Sequence, residues 1–209
     1  MKKIVLSAIL MMSLTCASAQ LKNADGNAAI AKIKTANEKV TTISCKFNRT
    51  IKQAMIDKAT ESSGDFNYTR ATKLSMKYTT TDESVVINEG EVALGKKGKT
   101  RNMKSTSKHA EPLVNTLLGC VSGDLSKLDG TLESVKEAGG VTTILVDVDN
   151  FRVGQSRVTK VEIKYGSNLI IQSIKMIESD GSYTLYELQS VATNKAISES
   201  VYAIAKSKK

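Results

Sequence analysis

Between Gly64 and Gly90 three short stretches alternate apolar with polar residues, and each stops at a cluster of turn formers. Gly64-Asp65-Phe66-Asn67-Tyr68 runs into Thr69-Arg70-Ala71-Thr72. Leu74-Ser75-Met76-Lys77-Tyr78 runs into a polar break through Asp82, and Val85-Val86-Ile87 ends at Asn88-Glu89-Gly90. Alternation with period two puts successive side chains on opposite faces of a strand. Short turns between such strands give an antiparallel meander.

The rest of the chain extends this reading. Ala29, Ile30, Ile33, Ala36 and Val40 recur at helical spacing, which predicts a helix from Asp25 to Val40, with Asp25 or Asn27 as its cap. Thr41 to Met55 switches to period two, with Ile43, Cys45, Phe47 and Ile51 on one face and Ser44, Lys46, Asn48 and Lys52 on the other. Arg49 falls on the apolar face, so it belongs near a rim, where its head can reach water. Past Gly90, Val92-Ala93-Leu94, the Lys96-Lys97-Gly98-Lys99 turn and Thr100 to Ser105 make a basic hairpin. His109 to Val121 is helical, with Leu113, Leu117 and Leu118 on one stripe and Pro112 in the first turn, and a further helical turn uses Leu125 and Leu128. Strands follow at Leu132 to Glu137, Val141 to Val148, Val158 to Tyr165, Leu169 to Ile177 and Tyr183 to Val191, and a last segment from Ser200 to Ile204 closes the chain. The expected fold is therefore mainly β, with about eleven strands.

Lys2 and Lys3, the apolar run Ile4 to Leu14 and Ala17-Ser18-Ala19 form a secretory leader, with cleavage expected after Ala19. The run is shorter than the roughly 20 residues a permanent span needs. Cys16 offers lipidation as an alternative, but Ser13-Leu14-Thr15 before it is a poor context for that modification. Residues 20–209 then form one exported domain, expected to act as a monomer. Losing the two leader lysines takes the formal charge from +9 to +7. Such a balance suits anionic membrane surfaces or acidic partners, or serves solubility alone. Cys45 and Cys120 are expected as free buried thiols, although an oxidising compartment permits a disulfide.

The order from Arg70 to Gly90 resembles the outer-membrane lipoprotein carriers of the LolA type. That family repeats a strand, an arginine turn, a strand, an acidic turn, an apolar strand and an acidic-Gly turn. Pro112, Leu117, Leu118, Gly123 and Asp124 resemble its lid segment, and the likeness covers nearly the whole mature chain. It implies an incomplete antiparallel β-barrel under a helical lid, LolA/LolB-like, which carries lipoproteins from the inner to the outer membrane through the periplasm. The implied partners are lipoprotein acyl chains, an inner-membrane ABC-type lipoprotein-releasing transporter, and an outer-membrane receptor or the membrane surface itself. Ala71, where the family usually has proline, and the lack of a Trp after Gly90 depart from the pattern.

Phe47, Phe66, Tyr68, Met76, Tyr78, Ile87, Leu94, Leu117, Leu118, Ile144, Val146, Ile163, Ile174 and Met176 are the candidate lining of an acyl-chain cavity. Alternation alone favours a solid core; the cavity follows from the resemblance. Met and the absence of Trp suit a weak, adaptable lining. Arg70 matches the family's arginine, which the resemblance implies latches the lid by donating to its backbone. Lys96, Lys97, Lys99, Arg101, Lys104 and Lys108 form a basic run that either meets anionic head groups or stands in solvent.

Catalysis is not expected. His109, the sole histidine, lies in a polar stretch, no triad is evident, and Asp147 and Asp149 lack a calcium-loop context. No metal or cofactor is implied. Nucleic acid is disfavoured by export and by the few aromatics available for stacking. The Asn48-Arg49-Thr50 glycosylation triplet falls inside a strand and reads as chance. A lipid-binding sensor or accessory module of the same fold, without transport activity, remains the alternative to a carrier.

Overall fold

The computed structural model describes residues 24–153 and 156–204. The leader, Cys16 and the expected cut after Ala19 lie outside the described residues. The chain opens with α1 (Ala24–Asn37), followed by β1 (Thr42–Lys52), β2 (Thr60–Thr69), β3 (Lys73–Tyr78), β4 (Glu83–Asn88), β5 (Glu91–Lys96) and β6 (Lys99–Lys104). Then come α2 (Glu111–Ser122), a 3-10 turn at Leu125–Lys127, and β7 (Gly130–Ala138), β8 (Val141–Val153), β9 (Ser156–Tyr165), β10 (Ile171–Glu178) and β11 (Tyr183–Thr193).

The eleven strands form one antiparallel sheet in the order β6-β5-β4-β3-β2-β1-β11-β10-β9-β8-β7. Two meanders, β1 to β6 and β7 to β11, are joined where β1 pairs with β11, and α2 is the insert between them. β6 and β7 are the two edges, so the sheet is open rather than a closed barrel. Register shifts interrupt the ladders at Ser44/Lys46, Leu132/Ser134, Asp147/Phe151, Ile171/Ser173 and Ile177/Glu178. Bulges of this kind bend and twist a sheet too wide to stay flat. Charged Lys99, Arg101 and Lys104 on edge strand β6 discourage further strand pairing.

Alternation sorts the strands as expected. Ser62, Gly64, Phe66 and Tyr68 of β2 are buried in every second position, and Leu74 and Met76 face them across the ladder to β3. These join β8 to β10 residues and Leu113, Leu117, Leu118 and Val121 of α2 in one apolar cluster. α2 therefore covers the inner face. Pro112 sits in its first turn, and Gly123 ends it in the left-handed conformation at φ 70. A Cβ on Gly123 would lie 3.0 Å from Ile33 Cγ2 and 3.1 Å from the Ile33 carbonyl, so glycine is what lets α1 pack there.

Two expectations are corrected. α1 begins at Ala24, so Asp25 and Asn27 lie inside its first turn rather than capping it. The closing segment is no strand: Glu199–Tyr202 is a 3-10 turn, with Ser198 accepting from the Ser200 amide. The Tyr202 hydroxyl meets Thr69 Oγ1 at 2.9 Å, its carbonyl accepts from Asn88 Nδ2 at 3.2 Å, and Lys73 bonds Glu199. The segment thus crosses β3 and β4 on the face opposite α2. Ser75, Val86 and Ala93 are buried, with Val86, Ala93 and Tyr202 outside the main cluster.

The antiparallel order also defines two ends. α1, the β2–β3 turn with Arg70 and the β9–β10 loop share one end. The β1–β2, β3–β4, β5–β6 and β10–β11 loops share the other, called the mouth below. Met55, 94% exposed, and Ile56 stand on the β1–β2 loop there.

Candidate functional site

The proposed lining residues converge on the inner face. Phe47, Phe66, Tyr68, Met76, Ile87, Leu117, Leu118, Ile144, Val146, Ile163, Ile174 and Met176 are buried members of a single cluster, and Tyr78 and Leu94 are half-buried against it. Burial pushes the Tyr68 phenol up to about 12 and raises the Tyr78 and Tyr165 phenols well above their ordinary value. They remain neutral hydrogen-bonding groups at physiological pH. Nearest the mouth, Tyr78 stands edge-on to Phe47 with centroids 5.0 Å apart, and Tyr186 lies 6.1 Å from Phe47.

Polar bonds hold the helices over this face. Arg70 Nη1 donates to the Asn37 carbonyl at 3.0 Å and also to the Glu38 carbonyl. Its partner is thus the C-terminus of α1, not the Pro112 to Leu128 segment. A cation suits that end, where carbonyls lack intrahelical donors and the helix dipole is negative. α1 in turn meets the end of α2. Lys34 bonds Asp124 at 3.1 Å, and Gly123 packs on Ile33 and Asn37. Ser126 first, then Lys34, hold the Asp124 carboxyl below its usual range against the opposing effect of burial. Buried Asn37 donates to Ile33 O at 2.9 Å and to Leu169 O at 2.8 Å, tying α1 to the β9–β10 loop. Tyr165 donates to Cys120 O at 2.7 Å, tying α2 to β9. Arg70 therefore reaches α2 only by way of α1.

The period-two pattern of β1 marks Arg49 on the apolar face but gives no partner for it. It lies at the mouth with its side chain 13% exposed, 2.6 Å from Glu83. Cys45 and Cys120 are both free thiols, raised by burial, with Cys45 at about 12. His109 and the Lys96 to Lys108 cations are exposed, and Lys96 also bonds Glu83 at 3.3 Å. A surface groove of about 310 Å³ is lined by Asn48, Arg49, Thr50, Glu61, Ser62, Ser63, Thr80 and Glu187. Register puts Asn48, Thr50, Glu61, Ser63 and Glu187 on the outer face, while Arg49 and Ser62 reach the groove from the inner face at the mouth. Among the described residues no His, Cys, Asp and Glu side chains gather into a metal-binding group, and no helix is long and apolar enough to cross a membrane.

The family profile described as outer membrane lipoprotein carrier protein LolA matches residues 38–205. The chain belongs to the LolA family. The match starts just after α1 and runs through the whole sheet and α2, so the inner face and α2 lie within it and α1 precedes it. Comparison with curated protein sequences gives no match. Solved structures similar to this LolA-family chain include a DUF1329 family protein from Desulfovibrio piger, 10% identical, with a TM-score of 0.49 over 85% of this chain and 95% of that one. A putative outer membrane lipoprotein-sorting protein domain from Vibrio parahaemolyticus is 8% identical, with a TM-score of 0.49 over 85% and 95%. A LolA superfamily protein from Nitrosomonas europaea is 7% identical, with a TM-score of 0.44 over 86% and 97%.

Proposed function

We propose that this protein is a periplasmic carrier that binds the acyl chains of lipoproteins between its sheet and its helices and ferries them from the inner to the outer membrane. The observation that carries this reading is the family match over residues 38–205. The structure supports it through the way the apolar face is covered. α1 and α2 take no part in the strand ladders, and the polar contacts named above bridge them to each other and to the sheet. Bonds of this kind are worth about 1 kcal/mol each net; burial of Leu113, Leu117, Leu118 and Val121 holds α2 more strongly, and in this reading acyl chains that replace those apolar contacts offset the cost of moving it.

Transfer energetics set the rest of the mechanism. Each methylene taken from water contributes about 0.8 kcal/mol, so a triacylated cargo carries on the order of tens of kcal/mol. Passive dissociation through water is then far too slow. The carrier receives cargo from an ATP-driven inner-membrane transporter and gives it up on contact with an outer-membrane receptor or membrane surface. In this reading α1 and α2 move away, chains slide onto the side chains of Phe66, Met76, Ile87 and Ile174, and Arg70 secures α1 in the covered state. Leu117 and Leu118 form the roof.

Depletion of the protein in its host tests the function. Lipoproteins then accumulate in the inner membrane. If they reach the outer membrane normally, the protein is a lipid-binding sensor or accessory module rather than a carrier.

A further inference from the structure

The mouth end of the inner face holds an ion pair inside an aromatic frame. Arg49 lies two residues beyond Phe47 on the same face of β1, opposite Ser62 of β2 and Tyr186 of β11. Its Nη2 is 2.6 Å from Glu83 Oε2 and its Nε donates to Ser62 Oγ at 2.8 Å. The guanidinium lies 4.3 Å over the Tyr78 ring, whose hydroxyl is 3.4 Å from that of Tyr186. Side-chain exposure is 13% for Arg49 and 20% for Glu83.

Such a pair is not what holds the sheet together. Taking both charges from water offsets most of their attraction, and apolar replacements of similar volume fold as well or better. The Phe47, Tyr78 and Tyr186 contacts already close this corner. The arrangement does suit exchange of the anion. Arg49 is held by its aromatic face and by Ser62 independently of Glu83, and its planar fork matches a carboxylate or phosphate. Glu83 has a second cation waiting: its Oε1 is 3.3 Å from exposed Lys96. It keeps a counter-charge if Arg49 leaves it.

Resting on the acyl-binding face of the carrier reading, but for a second ligand rather than for lipoprotein cargo, whose ester- and amide-linked chains carry no such anion, we infer that Arg49 is the head-group site of the inner face. It takes the anionic oxygens of an acylated ligand whose chain runs inward past Phe47 toward Phe66 and Met76. Glu83 passes to Lys96 as the ligand arrives. The class of ligand is an acyl chain ending in a carboxylate or phosphate.

The test is displacement of an environment-sensitive acyl probe from the full mature chain, using three competitors with the same chain below their micellar concentrations. These are palmitate, palmitoyl-lysophosphatidate and neutral monopalmitoylglycerol. Wild type is expected to favour the anionic ligands by about tenfold over the neutral one. Comparison of the first two says whether carboxylate or phosphate fits better. In Arg49→Gln the preference falls to within about twofold, and in Glu83→Gln, freed of the internal competitor, anionic ligands bind several-fold tighter. A merely structural pair gives no such gain. The double variant Arg49→Met, Glu83→Leu keeps the fold and lacks the preference, which guards against loss by unfolding. Equal binding of all three ligands by wild type, or an unchanged preference in Arg49→Gln, overturns the head-group site while leaving the acyl carrier standing. Failure of every ligand to displace the probe overturns both.

Discussion

Arg70→Leu is the perturbation that most directly probes how the cover is held. The side chain donates two charge-assisted bonds to carbonyls at the end of α1, one half-buried at Asn37 and one exposed at Glu38. The half-buried bond contributes about 1 kcal/mol and the exposed one less. The positive charge at the helix C-terminus adds about 0.5 kcal/mol. Together the change disfavours the docked position of α1 by about 2 kcal/mol, roughly a 30-fold shift in the ratio of docked to released helix. Leucine restores none of this, and lysine restores the charge without the fork, so Arg70→Lys falls between. Native-state hydrogen exchange measures the shift residue by residue. Amides from Ile33 to Asn37 are expected to exchange about 30-fold faster in Arg70→Leu, while those of the β8–β9 ladder stay at the wild-type rate. The off-rate of a bound acyl probe changes in the same variant. If α1 keeps wild-type protection, Arg70 is an ordinary turn arginine and the latch is wrong. If the whole sheet loses protection together, α1 is part of the global fold and not a separable cover.

Three further outcomes follow from the packing and the charges. Gly64→Ala should lower stability by about 2–3 kcal/mol in urea unfolding, because its Cβ would lie 2.2 Å from the Lys77 carbonyl oxygen and 2.8 Å from Tyr78 Cα. Tyr165→Phe removes the buried bond to the Cys120 carbonyl and should cost about 1 kcal/mol, a fall in melting temperature of about 2–4 °C, with hydrogen exchange rising first in α2. Glu83 is raised by burial, but Arg49 and Lys96 outweigh this and leave its carboxyl below the ordinary value of 4.5. Its contribution is thus complete above pH 4.5 and is lost as the pH falls through the lower folded value. Acid titration of Glu83→Gln should show a flatter stability curve below that pH and no change in slope above it.

Most of the sheet was legible because its evidence is local. The block from Gly64 to Gly90 carries alternation through its first two strands and turn residues at each break, and β2, β3 and β4 form there, β2 with one face buried and β3 and β4 with buried residues on both. The final segment misled for the opposite reason. Val201, Tyr202 and Ile204 are a short apolar run that suits strand or helix alike. A local Ser198 cap and distant contacts from Tyr202 to Thr69 and Asn88 accompany the 3-10 turn. Val86 pairs with Ser75 on the face opposite α2 and is buried there as well.

The site divides in the same way. An arginine in the turn after β2 was readable, but its acceptors lie 32 and 33 residues away on α1 and depend on how the helix docks. Glu83 carried a signal in hindsight, as an acid opening an apolar strand. Its pairing with Arg49 became visible only once the meander had set the two at the same end of the sheet. Asn37 carries no signal in the sequence, because its bond to the Leu169 carbonyl depends on how α1 docks against the β9–β10 loop.

The central claim is that acylated cargo leaves the membrane on this protein. Its most direct test is to incubate energised spheroplasts from the host, depleted of the endogenous protein, with the purified mature chain, and to analyse the soluble fraction by native mass spectrometry. The account predicts a soluble one-to-one complex of the protein with a triacylated or diacylated lipoprotein, formed only when ATP is present. Lipoproteins that stay in the membrane fraction while the added protein remains unliganded would contradict it.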